Sequence, residues 1–107
     1  MPGAADRYRS ESEAEVRHFV VNLSFRDGGP PPEAMQSQRA FLNDLLGEGT
    51  LVMAGRFADA GGGMSILRAD SAEAARERFS SSPLVRGDHV EWELREWTVT
   101  VGAEAGR

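Results

Sequence analysis

The sequence predicts a ferredoxin-like α+β fold with the element order β–α–β–β–α–β. Four segments have the alternating or continuous apolar character of strands, two repeat their apolar residues at helical spacing, and turns rich in glycine and proline separate them. Right-handed crossovers turn this order into a four-stranded antiparallel sheet with both helices on one face. The other face would be bare, so we expect a homodimer in which a second copy covers it.

The first predicted strand runs from His18 to Phe25. Apolar side chains occupy every second position and mark the face that turns toward the core: Phe19, Val21, Leu23 and Phe25. The glycines and prolines at 28–32 cannot continue a strand, so the chain must turn there. Pro32 is well placed to open the helix that follows, because the first turn does not use its missing N–H.

The first predicted helix runs from about Glu33 to Leu46, and Gly47 and Gly49 end it. Residues spaced by three, four and three positions form the stripe that should face the core: Met35, Gln38, Leu42 and Leu45. Gln38 is the polar member of this stripe, and we therefore expect its amide to be buried.

The second and third strands follow as a hairpin. Residues 50–57 are apolar on both sides until Arg56, which predicts a strand in the interior of the sheet. Residues 59–63 predict a turn, and residues 64–69 predict a short third strand. The glycines at 61–63 are not a phosphate-binding loop, because no Lys-Ser/Thr follows them and they lead into a strand.

The second predicted helix lies within residues 70–82. Asp70 or Ser71 would cap it, and Glu73 stands three positions after Asp70 as in a capping box. Pro83 would stop this helix. The positions that should face inward are Ala72, Ala75, Phe79 and Ser82.

The last predicted strand begins near His89 and ends near Val101. Its apolar positions alternate in two runs that are out of phase with each other: Val90, Trp92 and Leu94, then Trp97, Val99 and Val101. The slip places one extra residue at 95–96, which predicts a β-bulge or a bend there.

A chain of 107 residues predicts a single domain, which we place at residues 16–101. The polar residues 1–15 and 102–107 would form a flexible N-terminal tail and a C-terminal tail. The net charge of −5 argues against nucleic acid as a partner, and no segment has the apolar length of a membrane span. The N-terminus lacks the apolar core of a secretory signal, so we expect a cytoplasmic protein.

Cysteine is absent, which excludes thiol catalysis, disulfides and thiolate metal sites. His18 and His89 are the only histidines, and they would start antiparallel neighbouring strands at opposite ends, about 20 Å apart. They could not share a metal within one subunit, so we expect neither a metal site nor a cofactor. His89 is either a strand-edge residue or a pocket residue.

Five further residues are candidates for a pocket. Gln38 and Ser82 have inward phases on their helices. Gln38 either hydrogen-bonds locally in the core or contacts a polar group of a ligand, and Ser82 is either a turn residue at the helix C-terminus before Pro83 or a pocket residue. Arg56 lies beside apolar residues near a strand end, where it either forms a surface salt bridge or binds a carboxylate or phenolate. Met35 and Met53 either fill the core or line a soft pocket.

Residues 38–55 combine a leucine-rich helix end, a glycine turn and the strand end Leu-Val-Met-Ala-Gly. Together with Ser82–Pro83 after the second helix and Trp97 at the end of the last strand, they resemble the YciI-like family of the dimeric α+β barrels. The resemblance covers about residues 17–97. It implies the same fold, a dimer, and an active pair made of a histidine on the first helix and an aspartate at the end of the second.

The sequence departs from the family pattern at that pair, because Gln38 stands at the histidine position and Ser82 at the aspartate position. Arg56 and Glu96 also replace prolines of the family pattern. A histidine beside a carboxylate can transfer protons near neutral pH, whereas glutamine exchanges no proton and serine without a base is a poor nucleophile.

Three functions therefore stay open. The first is a YciI-like protein with a degenerate active site that binds or weakly processes a small apolar or aromatic molecule. The second is a non-enzymatic dimeric module whose role is structural or in protein interaction. The third is a cofactor-independent oxygenase or isomerase of the dimeric α+β barrel type that uses His89 or Arg56.

Overall fold

The computed structural model describes residues 16–105, so the N-terminal tail predicted at 1–15 lies outside the described residues. The elements are β1 Arg17–Phe25, α1 Pro32–Gly47, β2 Leu51–Arg56, β3 Gly62–Ala69, α2 Ala72–Phe79, α3 Pro83–Arg86 and β4 Val90–Glu96. The four strands form one antiparallel sheet in the order β2-β3-β1-β4. This arrangement is a ferredoxin-like α+β fold, which confirms the predicted fold class.

The core lies between the helices and one face of the sheet. On β1, Phe19 and Val21 are fully buried, as the alternating pattern predicts. They belong to one cluster with Leu45 of α1 and Phe79 of α2, which are also fully buried. This packing fixes α1 on the sheet, and it thereby fixes the buried Gln38 on the same helix.

The end of the second predicted helix differs from the prediction. Ser71 caps α2, since its hydroxyl accepts the N–H of Ala74 at 3.0 Å, and the helix ends at Phe79. The predicted role of Pro83 is wrong, because this residue begins the short helix α3 instead of stopping α2. Proline suits a first helical turn, and Ser82 consequently becomes the N-cap of α3.

Two predictions about strands are wrong. β2 is an edge strand rather than an interior one, and of its residues Leu51 is buried whereas Met53 is 61% exposed. An apolar run predicts that a strand is covered by other parts of the protein, but it does not show whether the strand lies inside the sheet or at its edge. The pairing of β4 with β1 is regular from Val90 to Glu96, so of the bulge or bend predicted at 95–96 the bulge is not found, and β4 ends at Glu96. The register shifts between Leu51 and Met53 instead.

The chain leaves the sheet after β4, and residues 98–101, predicted to continue the strand, belong to no strand. Residues 102–105, predicted to be part of a polar tail, return to the open sheet face. There the two carboxylate oxygens of Glu104 accept hydrogen bonds from the Arg68 guanidinium at 2.9 and 2.8 Å. One of these oxygens also lies 2.8 Å from Nε2 of His18, which faces Arg68 across β1 and β3.

Within residues 16–105, none of the helices has the length and apolar character that a membrane crossing requires. Cytoplasmic location stays a prediction.

Candidate functional site

A groove of about 970 Å³ lies between α1 and the part of the sheet formed by β2 and β3. Met35 and Leu42 give its helical wall an apolar surface, and Gly63 and Ser65 line the sheet side. A Cβ atom on Gly63 would lie 2.5 Å from the backbone oxygen of Gly55, so a larger residue would push the two strands apart. The small residues of the sheet thus keep the space beneath α1 open.

Gln38, which belongs to the groove lining, meets Ser82, which is not part of that lining. Gln38 is 4% exposed and Ser82 is fully buried. The Ser82 hydroxyl donates to Oε1 of Gln38 at 2.6 Å, and the N–H of Leu84 donates to the same oxygen at 3.5 Å. Because a backbone N–H can only donate, it fixes which end of the amide faces α3. The Ser82 oxygen in turn accepts the N–H of Val85 at 3.4 Å.

The other end of the amide is not satisfied. Nε2 of Gln38 is buried and has no hydrogen-bond partner among residues 16–105, and Gln38 belongs to the groove lining. A buried donor without a partner costs about 1–3 kcal/mol. Neither Gln38 nor Ser82 changes its charge near neutral pH, so the pair can hold and orient a ligand but cannot act as an acid–base pair.

Two arginines add positive charge to the groove. Arg39 of α1 and Arg56 of β2 both belong to its lining. Neither forms an ion pair with another residue of the described chain, and Arg56 is exposed. The salt bridge that one interpretation predicted for Arg56 is therefore not formed within residues 16–105.

The structure brings most of the predicted pocket residues together. Met35 and Met53 both belong to the groove lining. Met53 lies on the edge strand β2, where its pairing with Ile66 places its exposed side chain on the open face of the sheet, so it does not fill the core.

Two predicted pocket residues, Ser82 and His89, are not part of the groove lining. The backbone N–H of His89 donates to the Leu84 oxygen at 3.0 Å, just after α3. No group of three or more acidic or histidine residues in the described part of the chain could hold a metal ion.

Sequence reasoning missed Arg39, although a signal was present. Met35, Arg39, Leu42 and Leu46 recur at intervals of four, three and four residues, which places them on one face of α1, and all four line the groove. The contact of the Leu84 backbone with Gln38 had no such signal, because α3 itself was not predicted.

The chain is similar in sequence to a known domain family and to one bacterial protein. A profile of the YCII-related domain matches residues 30–98. The uncharacterized protein YjpA of Bacillus subtilis (strain 168) is 42% identical over 57 residues, which cover 53% of this chain and 67% of YjpA.

Two solved structures are similar in fold. The 5-chloro-2-hydroxyhydroquinone dehydrochlorinase of Burkholderia phenoliruptrix AC1100, in complex with 2,5-dihydroxybenzoquinone, gives a TM-score of 0.66 at 15% identity, covering 76% of this chain and 93% of that one. SnoaB, a cofactor-independent oxygenase from Streptomyces nogalater, gives a TM-score of 0.55 at 14% identity, covering 83% and 97%. At such identities the likeness shows the fold alone.

The YCII-related match spans more than half of the chain and includes both Gln38 and Ser82. The resemblance to the YciI-like family is thereby confirmed, and the chain belongs to the family of proteins with a YCII-related domain.

Proposed function

We propose that this protein binds a small apolar or aromatic molecule in the groove and processes it weakly or not at all. The observation that carries this proposal is the buried Nε2 of Gln38, a donor without a partner in the described chain, beside an open groove. A ligand acceptor at Nε2 would remove the free-energy penalty of that donor. The neutral Gln38–Ser82 pair provides no acid–base pair for efficient turnover.

The size and lining of the groove support a small ligand. Its volume of about 970 Å³ falls within the usual range for small-molecule sites. Apolar side chains from both elements line it, including Met35 and Leu42 on α1 and Leu51 on β2. The quinone bound to the dehydrochlorinase of similar fold supports a small single-ring compound as the first probe.

The two alternatives receive less support. An oxygenase or isomerase that uses His89 is disfavoured because His89 lies outside the groove lining, although Arg56 lies within it. A purely structural module would not need an open groove whose lining includes Gln38, the residue with the unsatisfied donor. Phe41, which could have filled that space, instead packs edge-on against Phe79 with ring centroids 5.7 Å apart.

The test is an NMR titration with 2,5-dihydroxybenzoquinone that follows the side-chain amide signals of the protein. The Gln38 pair of signals is identified by its disappearance in Gln38→Met. We expect these signals to shift on titration, together with the backbone signals of Ala54 and Ser65. If no groove signal moves with this ring or with the naphthalene compounds described below, the pocket is not a binding site and the structural module is the better explanation.

We also propose that the protein is a homodimer through the open sheet face. This face carries Met53 and Met64, which are 61% and 39% exposed, and the half-buried Val20 of the central strand β1. An exposed apolar surface on a sheet is commonly an interface. One solved protein of similar ferredoxin-like fold, from Bacteroides fragilis, is itself dimeric.

Sedimentation velocity tests the dimer. We expect twice the monomer mass at micromolar concentration, and Val20→Lys should dissociate the dimer because it places a charge at the middle of the interface. Ala40→Lys, on the exposed side of α1, is the matched control and should leave the mass unchanged. A wild-type protein that sediments as a monomer would refute the sheet-face interface.

A further inference from the structure

We propose that the groove selects an anionic ligand, a carboxylate or a phenolate on an apolar ring, and that Arg39 and Arg56 hold its charge. This inference rests on the proposed function and assigns a chemical class to the ligand of the same site.

The charge of the groove is opposite to that of the chain. The protein has 17 acidic and 12 basic residues, a net charge of −5. The described residues that line the groove nevertheless include Arg39 and Arg56 and no aspartate or glutamate. Both arginines are exposed, so solvent and salt screen their charges, but no carboxylate of the groove lining neutralises them.

Four other arginines of the described chain are paired with carboxylates, whereas Arg76, Arg86 and Arg95 form no ion pair there, like the two groove arginines. The pairs are Arg17–Glu96, Arg26 with Asp88 and Glu91, Arg68–Glu104 and Arg78–Glu48. The two groove arginines lack such a partner within residues 16–105. They are therefore free to bind an anion from solution, at the place where the groove also offers apolar contact.

The placement of Arg56 suits this role. It faces Gly63 across β2 and β3, and paired residues of antiparallel strands share one face of the sheet. Gly63 has no side chain, so the guanidinium of Arg56 meets no cross-strand neighbour at that position. The planar guanidinium can then pair with a carboxylate through two parallel hydrogen bonds.

A second observation points in the same direction. Nε2 of Gln38 is a buried donor without a partner in the described chain. Nε2 adds a neutral donor to the charged donors of Arg39 and Arg56, whereas no carboxylate of the described chain lines the groove. A ligand with several acceptor atoms satisfies these donors, whereas a cation or a ligand with donors alone leaves them unpaired.

The experiment compares 2-naphthoate with its uncharged isostere 2-naphthamide in NMR titrations of the full-length protein. We expect the wild type to bind naphthoate at least tenfold more tightly than naphthamide. Arg56→Gln and Arg39→Gln should each reduce the naphthoate affinity about five- to tenfold and leave the naphthamide affinity within about twofold. Arg56→Lys should lose less naphthoate affinity than Arg56→Gln, because lysine keeps the positive charge but cannot donate the two parallel hydrogen bonds of a guanidinium.

Arg86→Gln is the matched control, since Arg86 is also exposed and forms no ion pair in the described chain, but lies outside the groove. This variant should bind both compounds as the wild type does. Raising the salt concentration from about 0.01 M to about 0.15 M shortens the Debye length from about 30 Å to about 8 Å. The naphthoate affinity of the wild type should fall with this change while the naphthamide affinity stays constant.

Equal affinities for the two compounds, with both shifting groove signals, would overturn the anion selectivity and leave the proposed function intact. The same conclusion follows if Arg39→Gln and Arg56→Gln have no larger effect on naphthoate than Arg86→Gln. If neither compound shifts any groove signal, the proposed anion selectivity fails, and the proposed binding function fails with it when 2,5-dihydroxybenzoquinone also leaves these signals unmoved.

Discussion

Two polar clusters lie on opposite faces of the sheet and differ in how completely they are satisfied. On the helix side, the Gln38–Ser82 pair is uncharged and leaves Nε2 of Gln38 without a partner in the described chain. On the open face, Glu104 is charged, and both of its carboxylate oxygens are bonded by Arg68 while one also contacts His18. Both clusters are formed by side chains from distant parts of the sequence.

Whether all hydrogen-bonding groups have partners distinguishes a structural cluster from a candidate binding site better than the charge of the cluster does. The carboxylate of Glu104 is matched to the Arg68 fork, whose hydrogen bonds raise the pKa of Arg68 above its ordinary value, so few groups are left for a ligand. The Gln38 amide is neutral, but its free donor beside the groove needs an acceptor that the described chain does not supply. An incompletely satisfied buried group is therefore the more informative feature.

The largest effect should come from Ser82→Ala. This change removes the donor to Oε1 of Gln38 and the N-cap of α3, both in a fully buried position, and should lower the free energy of unfolding by about 2 kcal/mol. Urea denaturation followed by circular dichroism measures it. Ser81→Ala, at an exposed neighbouring serine, should have almost no effect. Equal losses in the two variants would show that the buried hydrogen bond does not contribute.

The double variant Gln38→Met with Ser82→Ala sharpens this result. It removes both partners of the hydrogen bond together with the unsatisfied Nε2, so its loss of stability should be smaller than the sum of the two single losses. Strict additivity in the same denaturation experiment would mean that the two side chains are not coupled.

A smaller effect is expected at the cluster on the open face. Glu104→Ala should lower the free energy of unfolding by about 1 kcal/mol, because the Arg68 guanidinium is 28% exposed and can be rehydrated when residues 102–105 detach. The same denaturation assay applies, with Glu77→Ala as the control at an exposed glutamate that forms no ion pair in the described chain. A Glu104→Ala variant as stable as the control would mean that these residues do not stabilise the domain.

The sequence predicts the groove side better than the open face, for a physical reason. Helical spacing alone places Gln38 in a buried stripe, and the inward phase of Ser82 is correct although this residue caps α3 instead of ending α2. The resemblance to a family then pairs the two residues, which the structure joins at 2.6 Å. Local periodicity carries this information because each side chain is positioned by its own helix.

The cluster of Glu104 has no comparable local signal. Its partners His18 and Arg68 face each other because of the register of β1 and β3, which no single segment determines. The path of residues 102–105 depends on tertiary contacts, so a polar composition was interpreted as a tail. The edge position of β2 was missed for the same reason, since strand order is set by pairing and not by the apolar content of a strand.

The smallest effect on stability is expected at the exposed Glu48–Arg78 pair, which can be compared with the two more buried clusters. Arg78 hydrogen-bonds the carboxylate of Glu48, and this bond, with a second from Thr50, lowers the pKa of Glu48 from its usual 4.5 to about 2. Because the pKa is lower in the folded state, the pair stabilises the fold fully above about pH 4.5, and this contribution is lost as the pH falls toward about 2. Both side chains are more than a third exposed, so water and salt screen the pair.

Glu48→Gln removes this titration. The difference in melting temperature between the wild type and the variant should be small but constant above about pH 4.5, and should shrink toward zero as the pH approaches about 2. Melting curves followed by circular dichroism across this interval measure it, with Glu77→Gln as the background for an unpaired glutamate of the described chain. A difference that does not depend on pH would show that Arg78 does not hold the Glu48 carboxylate in the folded protein. The hydrogen-bond geometry of this exposed pair would then overstate its contribution to stability, in contrast to the buried Gln38–Ser82 pair.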